Sequence, residues 1–153
     1  MADILFADKK HEDLFFSLFK EMKSKDCYHG SAAYLLGLDT VIREHINDVF
    51  DFKEDIIKPE CIDEPWQTGT SRKTTRLMFN LWNGKYKDDP PVLCDEDEDE
   101  PIDDELVYNE HNIANDLSVR SSRYYTPDEI FCCSYAPYYW QAIQLRYPEY
   151  SEP

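Results

Sequence analysis

Residues 64–84, EPWQTGTSRKTTRLMFNLWNG, are the stretch that decides the fold. Pro65 and Gly69 mark a loop, and Thr70 then suits a helix N-cap, so a helix is predicted from residue 71 to about residue 83. The Asn83-Gly84 pair supplies its end. The apolar residues of this helix recur at helical spacing and predict one buried face, formed by Leu77, Met78, Leu81 and Trp82.

The start of this helix is basic, although the chain has 32 acidic and only 16 basic residues. A cation in the first turn faces the positive end of the helix dipole, which costs about 0.3–1 kcal/mol at an exposed site. We therefore expect an anion there, held by hydroxyls, backbone N–H groups and cations of Thr70, Ser71, Arg72, Lys73 and Arg76. The favoured anion is internal, because Asp63 and Glu64 precede the helix and an acidic segment follows it. A phosphate or a partner's carboxylate are the alternatives, although the stretch lacks the glycines and the Gly-Lys-Ser/Thr ending of a P-loop.

Two helices are predicted before this stretch. The first runs from about residue 8 to residue 23, with Asp8 as its N-cap and an apolar stripe at helical spacing. The second spans residues 31 to about 50, unless Gly37 splits it into two helices that meet near Asp39. Residues 51–69 contain prolines and are predicted to be irregular, with at most one short extended piece at residues 55–62.

Two further helical segments are predicted near the C-terminus. Thr126, Pro127 and Glu129 match a capping box with proline in the first turn. Pro137 is expected to kink or break the helix that follows, and a second segment at residues 138–146 should end before Pro148. Residues 106–108 form a candidate strand.

The predicted fold class is mainly α: a compact bundle of about four to six helices, with a long acidic loop and up to two short strands. We expect residues 1–153 to form a single domain, in which residues 88–105 are an acidic, flexible insertion.

The net charge of −16 is concentrated in residues 88–105, DDPPVLCDEDEDEPIDDE, which contain eleven acids and no base. Without that segment 21 acids face 16 bases, a charge of −5. Direct binding to nucleic acid or to an anionic membrane is disfavoured, because such binders present basic patches. There is no apolar run of about 18 residues and no signal peptide, so we expect a cytoplasmic protein.

The acidic segment has three interpretations. Charge blocks are usually solvated loops. Regular negative charge could instead imitate a nucleic-acid backbone and occupy the basic groove of a host protein, through Asp95, Glu96, Asp97, Glu98, Asp99, Glu100, Asp103 and Asp104. A Ca²⁺ or Mg²⁺ site is the third interpretation, but the segment lacks the glycine turn and ligand spacing of an EF-hand.

A C-terminal aromatic cluster includes Tyr138, Tyr139 and Trp140. These residues could cover the helical core, or they could anchor a partner or a second copy of the chain in a homodimer. Cys27 and His29 form an isolated C-x-H pair without the further ligands that zinc needs, and the five cysteines lack a disulfide framework. No metal, cofactor or catalytic residue is therefore predicted.

Three pieces of the chain carry a resemblance: SAAYLLGLDTVIREHI at 31–46, WQTGTSRKTTRLMFNLWNG at 66–84 and YTPDEIFCCSYAPYYWQAI at 125–143. Together they resemble a small family of unknown function from phages and mobile elements of Gram-positive bacteria. The resemblance implies an accessory protein that acts on host defence or replication.

The predicted function is a non-enzymatic, acidic interaction protein that binds and blocks a basic, nucleic-acid-handling host protein, for example as an anti-CRISPR or other anti-defence inhibitor. The alternative is a small enzyme or sensor that binds phosphate or a nucleotide at the helix start from Thr70 to Arg72.

Overall fold

The computed structural model describes residues 3–88 and 122–150. The helices bounded within these residues are α1 Lys9–Glu21, α2 Cys27–Leu38, α3 Ile46–Val49, α4 Gly69–Asn83, α5 Pro127–Ile130 and α6 Ala136–Arg146. The 3-10 helices are η1 Ile42–Glu44, η2 Pro59–Asp63 and η3 Pro148–Tyr150, and the strands are β1 Phe50–Asp51 and β2 Ile56–Ile57. The prediction of a mainly helical protein with up to two short strands is confirmed.

Helix α2 lies at the centre of the bundle and packs against α1, α4 and α6. Its sequence is apolar on all sides, which is typical of a fully buried helix. Close approach to α1 requires Gly37, since a Cβ at this position would lie 3.1 Å from the Cβ of Leu14.

The end of α2 decides between the two predicted arrangements of residues 31–50. A continuous helix is wrong, and the alternative with a break near Asp39 is confirmed. The carboxylate of Asp39 accepts hydrogen bonds from the backbone N–H groups of Val41 and Ile42, which turns the chain into η1. The helix also begins earlier than predicted, at Cys27, because Asp26 caps it by accepting from the N–H of His29.

A two-stranded antiparallel hairpin follows α3, with Phe50 opposite Ile57 and Asp51 opposite Ile56. Its turn places Asp55 in the left-handed region, at φ 61°. The predicted extended piece at 55–62 is thus a strand only at Ile56–Ile57, because Pro59 begins η2.

The cap of α4 differs from the prediction. Thr68, not Thr70, is the N-cap, and it forms a reciprocal capping box with Ser71. The predicted end is confirmed, because Gly84 adopts the left-handed conformation at φ 79°. Asp8 caps α1 as predicted.

At the C-terminal end, the predicted capping box of Thr126 does not form. Its hydroxyl donates to the carbonyl of Arg123 instead of accepting from the first turn of α5. Pro137 lies in the first turn of α6 and therefore starts this helix rather than breaking one. The end of α6 at Arg146, before Pro148, is confirmed. Residues 89–105 of the acidic segment and the candidate strand at 106–108 lie outside the described residues.

Candidate functional site

A cleft of about 390 Å³ opens beside the first turns of α4, and we call it the cationic cleft. Its lining residues are Gly69, Arg72, Lys73, Arg76, Tyr124 and Glu129. Three of the five predicted anion-binding residues therefore come together here. Thr70 is not among the lining residues, and Ser71 cannot serve as predicted, because it is buried and its hydroxyl donates to the side-chain oxygen of Gln67 at 2.5 Å.

Arg76 has an internal carboxylate partner, as the favoured interpretation predicted. Its Nη2 donates to Asp88 at 2.9 Å, and the hydroxyl of Tyr125 donates to the same carboxylate at 2.9 Å. Asp88 is the first residue of the acidic segment. The guanidinium also packs on the ring of Tyr124, 4.5 Å from its centroid.

The other two cations bind neutral acceptors. The Nε of Arg72 donates to the carbonyl of Ile62 at 3.0 Å, and the ammonium of Lys73 donates to the carbonyl of Glu129. Within residues 3–88 and 122–150, no carboxylate forms an ion pair with either cation. Among the described residues the fold brings carbonyl oxygens, not carboxylates, to Arg72 and Lys73, and an internal carboxylate for them stays a prediction.

An acidic patch lies on the segment from η1 to η2. We define it by four exposed residues: Glu44, Asp48, Glu60 and Glu64. Burial raises the pKa of the neighbouring Cys61 thiol to about 12, and the negative charges of Glu60, Asp48 and Glu64 contribute to that rise. Sequence reasoning missed this patch because the much denser segment at 88–105 dominated the charge pattern.

A second cleft, of about 540 Å³, adjoins the patch and is called the acidic cleft here. Apolar residues line it together with three exposed carboxylates: Leu18, Ile46 and Phe52 with Glu21, Glu44 and Asp48. Arg43 also lines it, but its guanidinium is engaged by the carbonyl of Gly37 at 2.7 Å and by Asp8 at 2.8 Å. The exposed charge of this cleft is therefore negative.

The aromatic cluster divides between core and surface. Tyr139 was a candidate partner contact, but it is fully buried, and its hydroxyl lies 2.6 Å from that of Thr74. That prediction is wrong, because α6 turns this face toward α4. Trp140 is 59% exposed beside Phe131, and Tyr138 is half-buried. The predicted partner-binding acids from Asp95 to Asp104 lie outside the described residues.

A buried histidine, which the sequence analysis considered only as part of an isolated C-x-H pair, links α2 to the hairpin. The Nδ1 of His29 lies 2.6 Å from Asp26, and its Nε2 lies 2.9 Å from Asp55. Both ring nitrogens face carboxylates, and both can donate to them when the imidazole is protonated, so the arrangement favours the protonated form. Burial lowers the pKa of His29, but the two carboxylates outweigh it and the net pKa is raised. We call this arrangement the His29 clamp.

Among the described residues, no group of three or more histidine, cysteine or acidic side chains is arranged to hold a metal ion. In the same part of the chain, no helix combines the length and the apolar character that crossing a bilayer requires.

These features define the class: a small, mainly helical protein whose described residues form a cationic cleft and an acidic cleft. The chain belongs to a family of unknown function, DUF6075, whose model matches residues 1–153. No curated protein and no solved structure matches it. The resemblance to a family of unknown function is thus confirmed, whereas its link to phages and mobile elements stays a prediction.

Proposed function

We propose that the protein is a non-enzymatic interaction protein that binds a basic partner protein. The observation that carries this proposal is the acidic cleft with the adjoining patch, where exposed carboxylates surround an opening that apolar residues also line. The aliphatic stem of a lysine or arginine from the partner would pack against Leu18, Ile46 and Phe52, while its charged head meets the carboxylates.

Charge at two places would serve two stages of binding. The eleven acids of residues 88–105 would speed the encounter through long-range attraction, which salt screens beyond about 8 Å at physiological ionic strength. Contacts in the acidic cleft would then slow dissociation, because fully desolvated contacts mainly determine the off-rate. Trp140, which is 59% exposed, is a further candidate anchor for the partner.

In its more specific form, the partner is a nucleic-acid-handling host protein and the bound protein blocks its groove. Defence nucleases and replication proteins present such basic grooves. An origin in phages or mobile elements of Gram-positive bacteria would fit an anti-CRISPR or other anti-defence inhibitor.

The test is affinity capture from a Gram-positive bacterial lysate with three forms of the full chain. The patch variant neutralises the acidic patch by Glu44→Gln, Asp48→Asn, Glu60→Gln and Glu64→Gln. A control with the same change in net charge neutralises four exposed acids elsewhere: Asp3, Asp13, Asp128 and Glu149. The parent and the control should retain the same basic protein, and the patch variant should lose it.

The captured protein then allows binding kinetics and competition with DNA. Neutralising residues 95–100 should lower the association rate most at low salt, whereas the patch variant should raise the dissociation rate. DNA should displace the complex if the groove is the target. Equal loss of binding in the patch variant and the control would show that only net charge matters, and the proposed site would be wrong.

A further inference from the structure

We propose that the cationic cleft binds the phosphate group of a small molecule. This inference does not depend on the acidic patch or on a protein partner. Its basis is the charge balance of the lining residues, together with the hydrogen-bond donors that the internal contacts leave available.

Within residues 3–88 and 122–150, two positive charges of the cleft have no carboxylate partner. Arg76 is paired with Asp88, and the carboxylate of Glu129 is paired with Arg123 at 3.5 Å, so these four charges cancel. Arg72 and Lys73 meet only carbonyl oxygens among the described residues. A phosphate monoester carries a charge of about −1.5 to −2 at neutral pH and matches this excess, whereas a single carboxylate would leave one cation uncompensated.

Donors also remain for such a ligand. Arg72 donates to the carbonyl of Ile62 only through its Nε, and in the described part of the chain its two terminal amino groups have no acceptor. These two groups form the fork that binds phosphate oxygens in pairs. Lys73 donates one of its three N–H groups to the carbonyl of Glu129. The internal contacts therefore position both side chains and leave some of their hydrogen-bond donors available to a ligand.

The dimensions of the cleft favour a small molecule over a bare ion. Its volume of about 390 Å³ lies within the range of small-molecule sites. Tyr124 contributes an aromatic ring that is 40% exposed, and Gly69 leaves open space where any other residue would place a Cβ. An organic group attached to the phosphate can therefore lie against the ring while Arg72 and Lys73 hold the phosphate.

The experiment uses inorganic phosphate and phenyl phosphate as probes, with the full chain in sodium chloride of matched ionic strength. The parent should show a higher melting temperature with either probe and broadened ³¹P resonances, and phenyl phosphate should bind more tightly. Arg72→Gln and Lys73→Gln should each weaken binding about tenfold or more, because each removes a charged hydrogen bond. Lys53→Gln is the matched control, since it removes an exposed cation on the hairpin, and it should bind as the parent does.

Arg72→Lys is the second variant in case Arg72→Gln does not fold. It keeps the charge and should retain part of the affinity. The ³¹P measurement on the parent requires no variant at all. The proposal is overturned if the parent responds to the probes no more than to chloride. It is equally overturned if the Arg72 and Lys73 variants, folded by circular dichroism, bind phenyl phosphate as tightly as Lys53→Gln does.

Discussion

Asp55→Asn isolates the charge of the His29 clamp from the backbone of the hairpin turn. Asp55 adopts a left-handed conformation at φ 61°, and asparagine tolerates that conformation almost as well as aspartate. The side-chain oxygen of asparagine can still accept from the Nε2 of His29. The substitution therefore removes a negative charge and leaves the turn and the hydrogen bond in place.

The expected loss of stability follows from the environment of the His29–Asp55 pair. The side chain of His29 is 7% exposed and that of Asp55 is 24% exposed, so water screens their interaction only partly. Asp55→Asn keeps a hydrogen bond from the charged imidazolium and removes only the attraction between opposite charges, which contributes about 0.2–1 kcal/mol for exposed pairs and more for partly buried ones. We therefore expect Asp55→Asn to lower the free energy of unfolding by about 1 kcal/mol while His29 is protonated.

The effect should depend on pH in a defined direction. The pKa of His29 is raised in the folded protein, so its contribution to stability is complete below the unfolded pKa of about 6.5 and is lost as the pH rises through the folded pKa. Urea unfolding at about pH 5.5 should show the full cost of Asp55→Asn, and at about pH 9 the cost should shrink. Glu54→Gln, an exposed acid in the same turn, serves as the control and should change stability little at either pH. A cost that stays constant with pH, or grows at high pH, would refute the protonated clamp.

Two matched pairs of substitutions test helix α4. Thr68→Ala should cost about 1 kcal/mol in urea unfolding because it removes the N-cap, whereas Thr70→Ala should stay within about 0.5 kcal/mol; equal costs would contradict the assigned cap. Gly69→Ala should stabilise the fold by about 0.4–1 kcal/mol and so raise the melting temperature, since the added Cβ meets no atom within 4 Å and restricts the unfolded chain. Gly84→Ala should lower it by a similar or larger amount, because Gly84 has φ +79°; the same sign for both glycines would contradict this reasoning.

Local signals predicted most of the helices. The apolar spacing of α1 and α4, the cap at Asp8 and the glycine after Asn83 are all short-range features, and the structure confirms them. The errors also have local causes. Thr68 and Thr70 are both plausible caps by residue type, and only the reciprocal bonds between Thr68 and Ser71 distinguish them.

The sequence by itself determined the mainly helical class, the excess of negative charge and the presence of three cations at the start of α4. These properties follow from composition and from spacing within a few residues. Only the tertiary structure decided the partners of the cations, since the carbonyl that accepts from Lys73 lies 56 residues away in the chain. The same holds for the burial of Tyr139 and for the approach of Asp55 to His29 across 26 residues. Contacts between distant residues depend on how the helices pack, and the periodicity of a helix specifies which face is buried but not which neighbour covers it.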